Sequence, residues 1–425
     1  MADRVVVFFP EGAYGPTNNC VGIADVLRER GFRVLFVIEE SFKGTLEARG
    51  FEEALMRLQP PAETDETPGQ FWKDFIRDTA PEFRKPTIEQ LSTFMQPTWQ
   101  ALIDGSKYVE GRLQEILDEA RPDVIVEDNV VAFPAVVTSD PPWVRIVSCN
   151  PLEIRDPELP PPYSGYPTED RTRWEEFREE YRRTHLDMWT DFNEFVVERG
   201  CPPLRELEFI HVSKDLNLYV YPEEVDYRRS APSASWRRID SCVRSTEPPF
   251  EMPPELAEAG GALVYLSLGS LGSADVELMQ RLIDILGKSD HRVVVSMGPQ
   301  HELLRLADNM WGREFVPQPS ILPLVDVVIT HGGNNTVTEC LHHGAPMVVL
   351  PLFWDQYDNA QRMDELGLGV RLPTYEFGPD ELLSAIGRLA ADRDVSRRLA
   401  SMSQRLRADP GTIRAADLIE AVARG

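Results

Sequence analysis

Residues 325–343 read V-D-V-V-I-T-H-G-G-N-N-T-V-T-E-C-L-H-H, and the fold turns on how this stretch is read. Val325 to Thr330 is apolar and β-branched, as a buried strand requires. His331, Gly332 and Gly333 make a tight turn, and Asn334 opens a helical pattern. A strand, a turn and a helix in that order form one unit of a parallel α/β sheet. The turn also has the properties of an anion site. Adjacent glycines let backbone approach a ligand, and the first N–H groups of a helix, with their partial positive charge, suit a diphosphate. Taken one at a time, the residues also fit structural roles. Thr336 and Glu339 have the S/T-x-x-E spacing of a capping box, the glycines serve a turn, and His331 is a strand-end histidine.

Outward from this stretch the same alternation recurs. A first series of strands is expected at Arg4–Phe9, Arg33–Ile38, Asp123–Asp128, Trp143–Ser148 and Asp215–Tyr221, with a helix over Cys20–Arg30. A second covers Leu263–Leu268, Arg292–Met297, Asp326–Thr330 and Met347–Leu350, with an amphipathic crossover at Val276–Leu286. Between them Pro248, Pro249, Pro253 and Pro254 interrupt any periodicity. The expected fold is therefore α/β, with two facing Rossmann-like domains over residues 1–244 and 261–425 and a linker over 245–260. Trp174, Phe177, Tyr181, Met188, Phe192 and Phe195 recur at helical spacing and predict a long amphipathic insertion in the first half.

A chain of 425 residues with 42% hydrophobic side chains has enough apolar material for two cores. Its net charge of -26 repels nucleic acid and anionic lipid, so an anionic ligand needs a local device such as a helix start. Cys20, Cys149, Cys201, Cys242 and Cys340 show no C-x-x-C spacing and suggest neither disulfides nor zinc. The apolar run Val5–Phe9 is too short for a signal-peptide core, and no stretch approaches membrane-spanning length. A cytoplasmic protein without membrane insertion is the expectation. Three motif matches carry little weight. Asp392-Arg393-Asp394 has a D-x-D form but lies in a charged helical stretch. Ser267–Ser273 lacks G-x-G-x-x-G, and His342 and His343 point about 100° apart on a helix.

The spacings from Phe315-Val316-Pro317-Gln318 to His331, Asn335, Thr336 and Glu339, and on to Asp355-Gln356, form one long pattern. It resembles the donor signature of family 1 UDP-glycosyltransferases, which have the GT-B fold. Val264–Ser270 is similar to the strand and loop that open their second domain. The likeness spans essentially the whole chain and is strongest over residues 263–373. G-P-T-N-N-C-V-G-I, H-G-G-N-N-T and F-W-D-Q-Y-D-N-A-Q-R look most like the soluble bacterial and arthropod branch. The resemblance implies that a first, acceptor-binding domain faces a second that binds the nucleotide sugar. Phe315 would stack on uracil, the Val316 backbone would read the base edge, and Gln318 and Glu339 would hold ribose hydroxyls. Ser270, His331, Asn335 and Thr336, with the amides from Gly333, would surround the diphosphate. Asp355 and Gln356 would bind the sugar, and the closing glutamine suggests UDP-glucose. No metal and no cofactor is implied, the UDP-sugar being a co-substrate.

One position departs from the family pattern. Most members carry a catalytic histidine in G-H-x-N after the first strand, whereas Gly15-Pro16-Thr17-Asn18 stands here. Asp128 matches the acid that orients that histidine, which leaves Asp128 as the candidate base and Glu11 as a weaker one. The gap keeps two alternatives open, a UDP-sugar-binding protein without transferase activity and an epimerase of the same architecture. Acceptor contacts are expected from residues 60–115 and 155–200, where Phe71, Trp72, Phe75, Phe94, Met95, Trp99, Tyr163, Trp174 and Trp189 favour an apolar or aromatic acceptor.

Overall fold

Runs such as Val5-Val6-Val7-Phe8-Phe9 and Val293-Val294-Val295 are apolar on both faces, which suits strands covered by helices on both sides. The computed structural model describes residues 4–60, 78–230, 235–244, 247–257 and 260–424. In the first sheet, β1 (Val5–Pro10), β2 (Arg33–Glu39), β3 (Glu52–Met56), β4 (Val124–Asp128), β5 (Trp143–Val147), β6 (Leu216–Tyr219) and β7 (Trp236–Arg238) are all parallel, in the order β3-β2-β1-β4-β5-β6-β7. The second holds β8 (Leu263–Ser267), β9 (Arg292–Ser296), β10 (Met310–Arg313), β11 (Val327–Thr330), β12 (Met347–Val349) and β13 (Gly369–Arg371), ordered β10-β9-β8-β11-β12-β13 and again parallel.

All nine strands expected from sequence are present, each within two residues of its expected limits. The four that sequence reading missed, β3, β7, β10 and β13, are the outermost strands of the two sheets. Edge strands bury one side less completely and need no continuous apolar run: β7 is Trp-Arg-Arg and β10 is Met-Trp-Gly-Arg.

Among the described residues, nine helices of ten residues or more surround the sheets: α1 (Tyr14–Glu29), α2 (Gln96–Ala120), α3 (Trp174–Glu198), α4 (Val276–Leu286), α5 (Asn334–His343), α6 (Gln356–Glu365), α7 (Pro379–Ala391), α8 (Arg393–Ala408) and α9 (Gly411–Ala423). The expected insertion is α3, which buries Trp174, Phe177, Tyr181, Met188 and Phe192 along one face. Asp392 accepts the Asp394 and Val395 N–H groups at the start of α8, so the first acid of the D-x-D triplet is a helix cap.

The direction of strand addition reverses between β1 and β4 in one sheet and between β8 and β11 in the other. A crevice opens at each reversal beyond the carboxyl ends of the strands. The two halves meet around these crevices. Helix α1 packs on α5, and Asn334 at the start of α5 donates to the Ser148 and Val220 carbonyls of the first domain, both at 2.9 Å. The Asp358 carboxylate accepts the Tyr163 and Gly165 N–H groups at 2.6 and 2.8 Å. Phe353 and Trp354 insert among Phe83, Phe94, Trp99 and Tyr163.

The terminal helix α9 crosses from the second domain to the first and packs on α1, β4 and β6. Asp240, almost wholly buried, holds it through Arg414 and holds α8 through Arg405. A Cβ on Gly411 would stand 1.6 Å from the Ile239 carbonyl oxygen, so helix and loop touch backbone to backbone. Gly411→Ala is expected to cost about 1–3 kcal/mol and lower Tm by several degrees. Gly387→Ala in α7, where a new Cβ meets nothing within 4 Å, is expected to hold or raise Tm. Thermal melts of both variants check the pair; equal behaviour would contradict the close approach.

Candidate active site

The second crevice is shaped by the turn after β11. Gly332 adopts φ +91°, and a Cβ there would lie 2.6 Å from Val349 Cγ1, so this position needs glycine for both conformation and space. The turn delivers Gly333 as the residue before α5, and no side chain caps that helix. The early N–H groups of α5 therefore lack intrahelical partners at the mouth of the crevice. The ring of His331 lies between two glycines, since a Cβ on Gly269 or Gly333 would come within 2.7 or 2.6 Å of it. Burial pulls the His331 pKa down to about 4, so the imidazole is neutral at neutral pH. Ser270 follows Gly269 in the short helical turn after β8 and completes this side.

One turn further along α5 a second polar group is assembled. Gln318 donates to Glu339 at 2.6 Å and approaches Thr336 at 3.4 Å, while the Tyr265 hydroxyl donates to Gln318. Asn335 donates to the same glutamate at 3.1 Å. Arg244, from the end of the first domain, lies 2.7 Å from Glu339 in an ion pair whose side chains are 7% and 1% exposed. The carboxylate of Glu339 is thus engaged by side chains and not by the helix N-terminus. Thr336 is the third residue inside α5, so the capping-box spacing of the sequence does not describe this helix start.

Phe315 and Val316 lead into this group. Phe315 is half-exposed, and Val316 packs against the core of the second domain. Asp355 and Gln356 open α6 and turn inward: Asp355 accepts the Asn150 N–H at 2.7 Å, and the Gln356 side-chain oxygen accepts the Leu352 and Phe353 N–H groups. The structure therefore brings Gln318, Asn335, Thr336 and Glu339 together, sets His331, Gly333 and Ser270 beside them, and holds Asp355 and Gln356 at the seam between the domains. Arg244, which completes the ion pair, carried no sequence signal, because it lies in an irregular segment beside the linker.

Facing α5 is the first crevice. Pro16 sits in the first turn of α1, where a missing N–H is tolerated, and Gly15 lies against Asn335. Asp128 ends β4 beneath α1. The Ser148 hydroxyl donates to it at 2.5 Å, and Asn19 donates to Ser148 at 3.0 Å. Burial pushes the Asp128 carboxyl up to about 7, against the lowering effect of the Ser148 bond and with the negative charges of Glu11 and Glu153 adding to the rise. Glu11, whose N–H donates to the Asp128 carbonyl, is also pushed up to about 7 by burial and by Glu153 and Glu39. Among the described residues no three His, Cys, Asp or Glu side chains are grouped as a metal site, and no helix is long and apolar enough to cross a membrane.

Of the aromatic residues expected to meet an acceptor, Phe94, Met95, Trp99, Tyr163 and Trp174 are buried, and Trp189 is half-buried with its indole N–H on the Arg205 and Glu208 carbonyls. Phe71, Trp72 and Phe75 lie outside the described residues.

Two facing parallel-sheet domains of this kind have the GT-B fold, and solved structures agree. A glycosyltransferase of kitacinnamycin superposes with a TM-score of 0.71 at 23% identity, covering 99% of each chain. Residues 280–421 match the family model for the C-terminal domain of erythromycin biosynthesis protein CIII-like proteins. The NDP-glycosyltransferase YjiC of Bacillus subtilis is 23% identical over 96% of this chain and 95% of its own. The oleandomycin glycosyltransferase of Streptomyces antibioticus is 26% identical over 98% and 90%. The C-terminal third of the chain thus carries the domain of that family model, and the relatives that it resembles over its whole length are glycosyltransferases.

The buried carboxyls make stability depend on pH with a definite sign. Glu11, Asp128 and Asp358 are pushed up to about 7, and Glu127 and Asp355 to about 8, in each case chiefly by burial. Between pH 8 and 6.5 the folded protein takes up protons while unfolded carboxyls, with pKa about 4, do not. Stability therefore rises as pH falls through that window. His185, His331, His342 and His343, pulled down to about 4 by burial, oppose that trend below pH about 6.5, where the unfolded histidines protonate first; being four against five carboxyls, they flatten the rise without reversing it. Melting temperature is expected to rise as pH falls from 8 to 6.5 and to change less steeply below that; a fall in Tm between pH 8 and 6.5 would contradict the raised carboxyls.

Proposed function

We propose that the enzyme transfers a sugar, glucose being the expected one, from UDP to a small apolar or aromatic acceptor, with inversion at the anomeric carbon and without a divalent metal. The observation that carries this reading is the uncapped start of α5 at the switch point of the second sheet, beside the Gln318–Glu339 pair and the half-exposed Phe315. In this reading the amides from Gly333 to Thr336, with Ser270, Asn335 and neutral His331, hold the diphosphate. Gln318 and Glu339 hold the ribose, Phe315 and Val316 meet the uracil, and Asp355 and Gln356 meet the sugar. The names of the relatives, an NDP-glycosyltransferase and an oleandomycin glycosyltransferase, support a nucleotide-sugar donor and a natural-product acceptor.

The chemistry requires three coupled changes. The acceptor oxygen loses its proton to a base, attacks the anomeric carbon from the face opposite UDP, and the bond from that carbon to the β-phosphate oxygen breaks with its electron pair on UDP. Pro16 has no group to accept the proton. Asp128, held by Ser148 and poised near neutrality, takes it directly or through one water, and Glu11 is the second candidate.

Incubation with UDP-glucose and a set of phenols and alcohols, followed by mass detection of glycosides and release of UDP, is expected to show transfer that EDTA leaves unchanged. Restoration of an EDTA-abolished activity by Mg²⁺ or Mn²⁺ would contradict the metal-free site. Asp128→Asn should lose about 10²- to 10⁴-fold in kcat, more on an alcohol than on an acidic phenol, with UDP affinity unchanged. It should also abolish a rise in rate through pH about 7, where the Asp128 carboxyl ionises. Near-full activity of the variant on the alcohol would exclude Asp128 as the base.

A further inference from the structure

Two of the large apolar side chains left exposed, Tyr14 at 47% and Phe315 at 52%, come from opposite domains and face each other. Their ring centroids are 6.0 Å apart, with the planes inclined by 39°. Exposed aromatic surface shared by two elements marks a place where something else binds. Tyr14 is the first residue of α1, and its other face rests on the buried ring of Phe42, with centroids 5.1 Å apart. It therefore has a firm backing and one open face. Phe315 lies three residues before Gln318, which reaches Glu339, so its ring is on the same short segment as the polar group described above.

We propose that Tyr14 is the second wall of the nucleobase site, so that the base of the donor is clasped between Tyr14 of the first domain and Phe315 of the second. This rests on the reading of the second crevice as a nucleotide site. A planar ring between two others needs about 7–8 Å, twice the carbon contact distance of about 3.5–4 Å. The present separation is short of that by only 1–2 Å, and the open faces of both rings leave room for them to adjust. Because the two walls belong to different domains, occupation of the slot ties the domains together across the cleft. The clasp selects a flat aromatic base, since stacking is tolerant of base identity but requires a π-face.

The test is calorimetry of UDP and of 5,6-dihydro-UDP, whose base is puckered and has no aromatic face, against wild type, Tyr14→Phe and Tyr14→Ala. Tyr14→Ala is expected to weaken UDP about tenfold, and Tyr14→Phe to stay within about twofold of wild type. Wild type should bind dihydro-UDP more weakly than UDP, and the difference should shrink in Tyr14→Ala, which a general loss of structure would not produce. Unchanged UDP affinity in Tyr14→Ala, or an undiminished preference for UDP over dihydro-UDP, would overturn the clasp while leaving the nucleotide site standing. Failure of wild type to bind UDP at all would remove both.

Discussion

A helix cannot satisfy the N–H groups of its own first turn, and in α5 that shortfall is placed where two domains meet. The rest of the second crevice follows from keeping that turn open to an anion. Gly332 takes the left-handed conformation that aims the chain into α5, and Gly269 and Gly333 make room for the His331 ring beside it. No side chain caps the helix. In a protein of net charge -26 the nearby Glu339 would repel a diphosphate, and the buried Arg244 guanidinium offsets that charge from the first domain. Gln318 and Asn335 hold the same carboxylate in place.

The opposing crevice has the reverse character. There the floor is acidic, and burial holds Glu11 and Asp128 near a pKa of 7. A carboxyl so placed is poised to take a proton at neutral pH, the property that a histidine supplies in the family that the sequence resembles. Pro16 closes off the histidine route, while Ser148 and Asn19 orient what remains. In the proposed reaction the two switch points divide the work, leaving-group charge on one side and proton removal on the other.

The central strands and the donor segment were legible because their signals are dense. Fully buried parallel strands are written as unbroken β-branched runs, and the segment from Phe315 to Gln356 joins turn, helix start and carboxylate in a fixed spacing. The four edge strands were not, since Trp236–Arg238 and Gly369–Arg371 are too short and polar to stand out. Nor were Tyr14 and Arg244. Each acts across the domain boundary, and a side chain whose role depends on a partner 301 or 95 positions away leaves no local pattern. The Thr336–Glu339 spacing offered a structural alternative that the chain does not take. It has the form of a cap, but the helix starts at Asn334, and tertiary partners claim the glutamate. Of the aromatic residues expected at an acceptor surface, Phe94, Trp99 and Tyr163 pack on Phe353 and Trp354 at the domain seam.

The central claim is that the start of α5 receives the diphosphate of the donor. A crystal structure of the protein grown with UDP in the presence of EDTA tests it most directly. The account predicts phosphate oxygens within hydrogen-bond distance of the Gly333–Thr336 amides and the ribose hydroxyls on Glu339. Ordered UDP at any other place on the molecule, or a diphosphate that appears only when Mg²⁺ or Mn²⁺ is added, would contradict it.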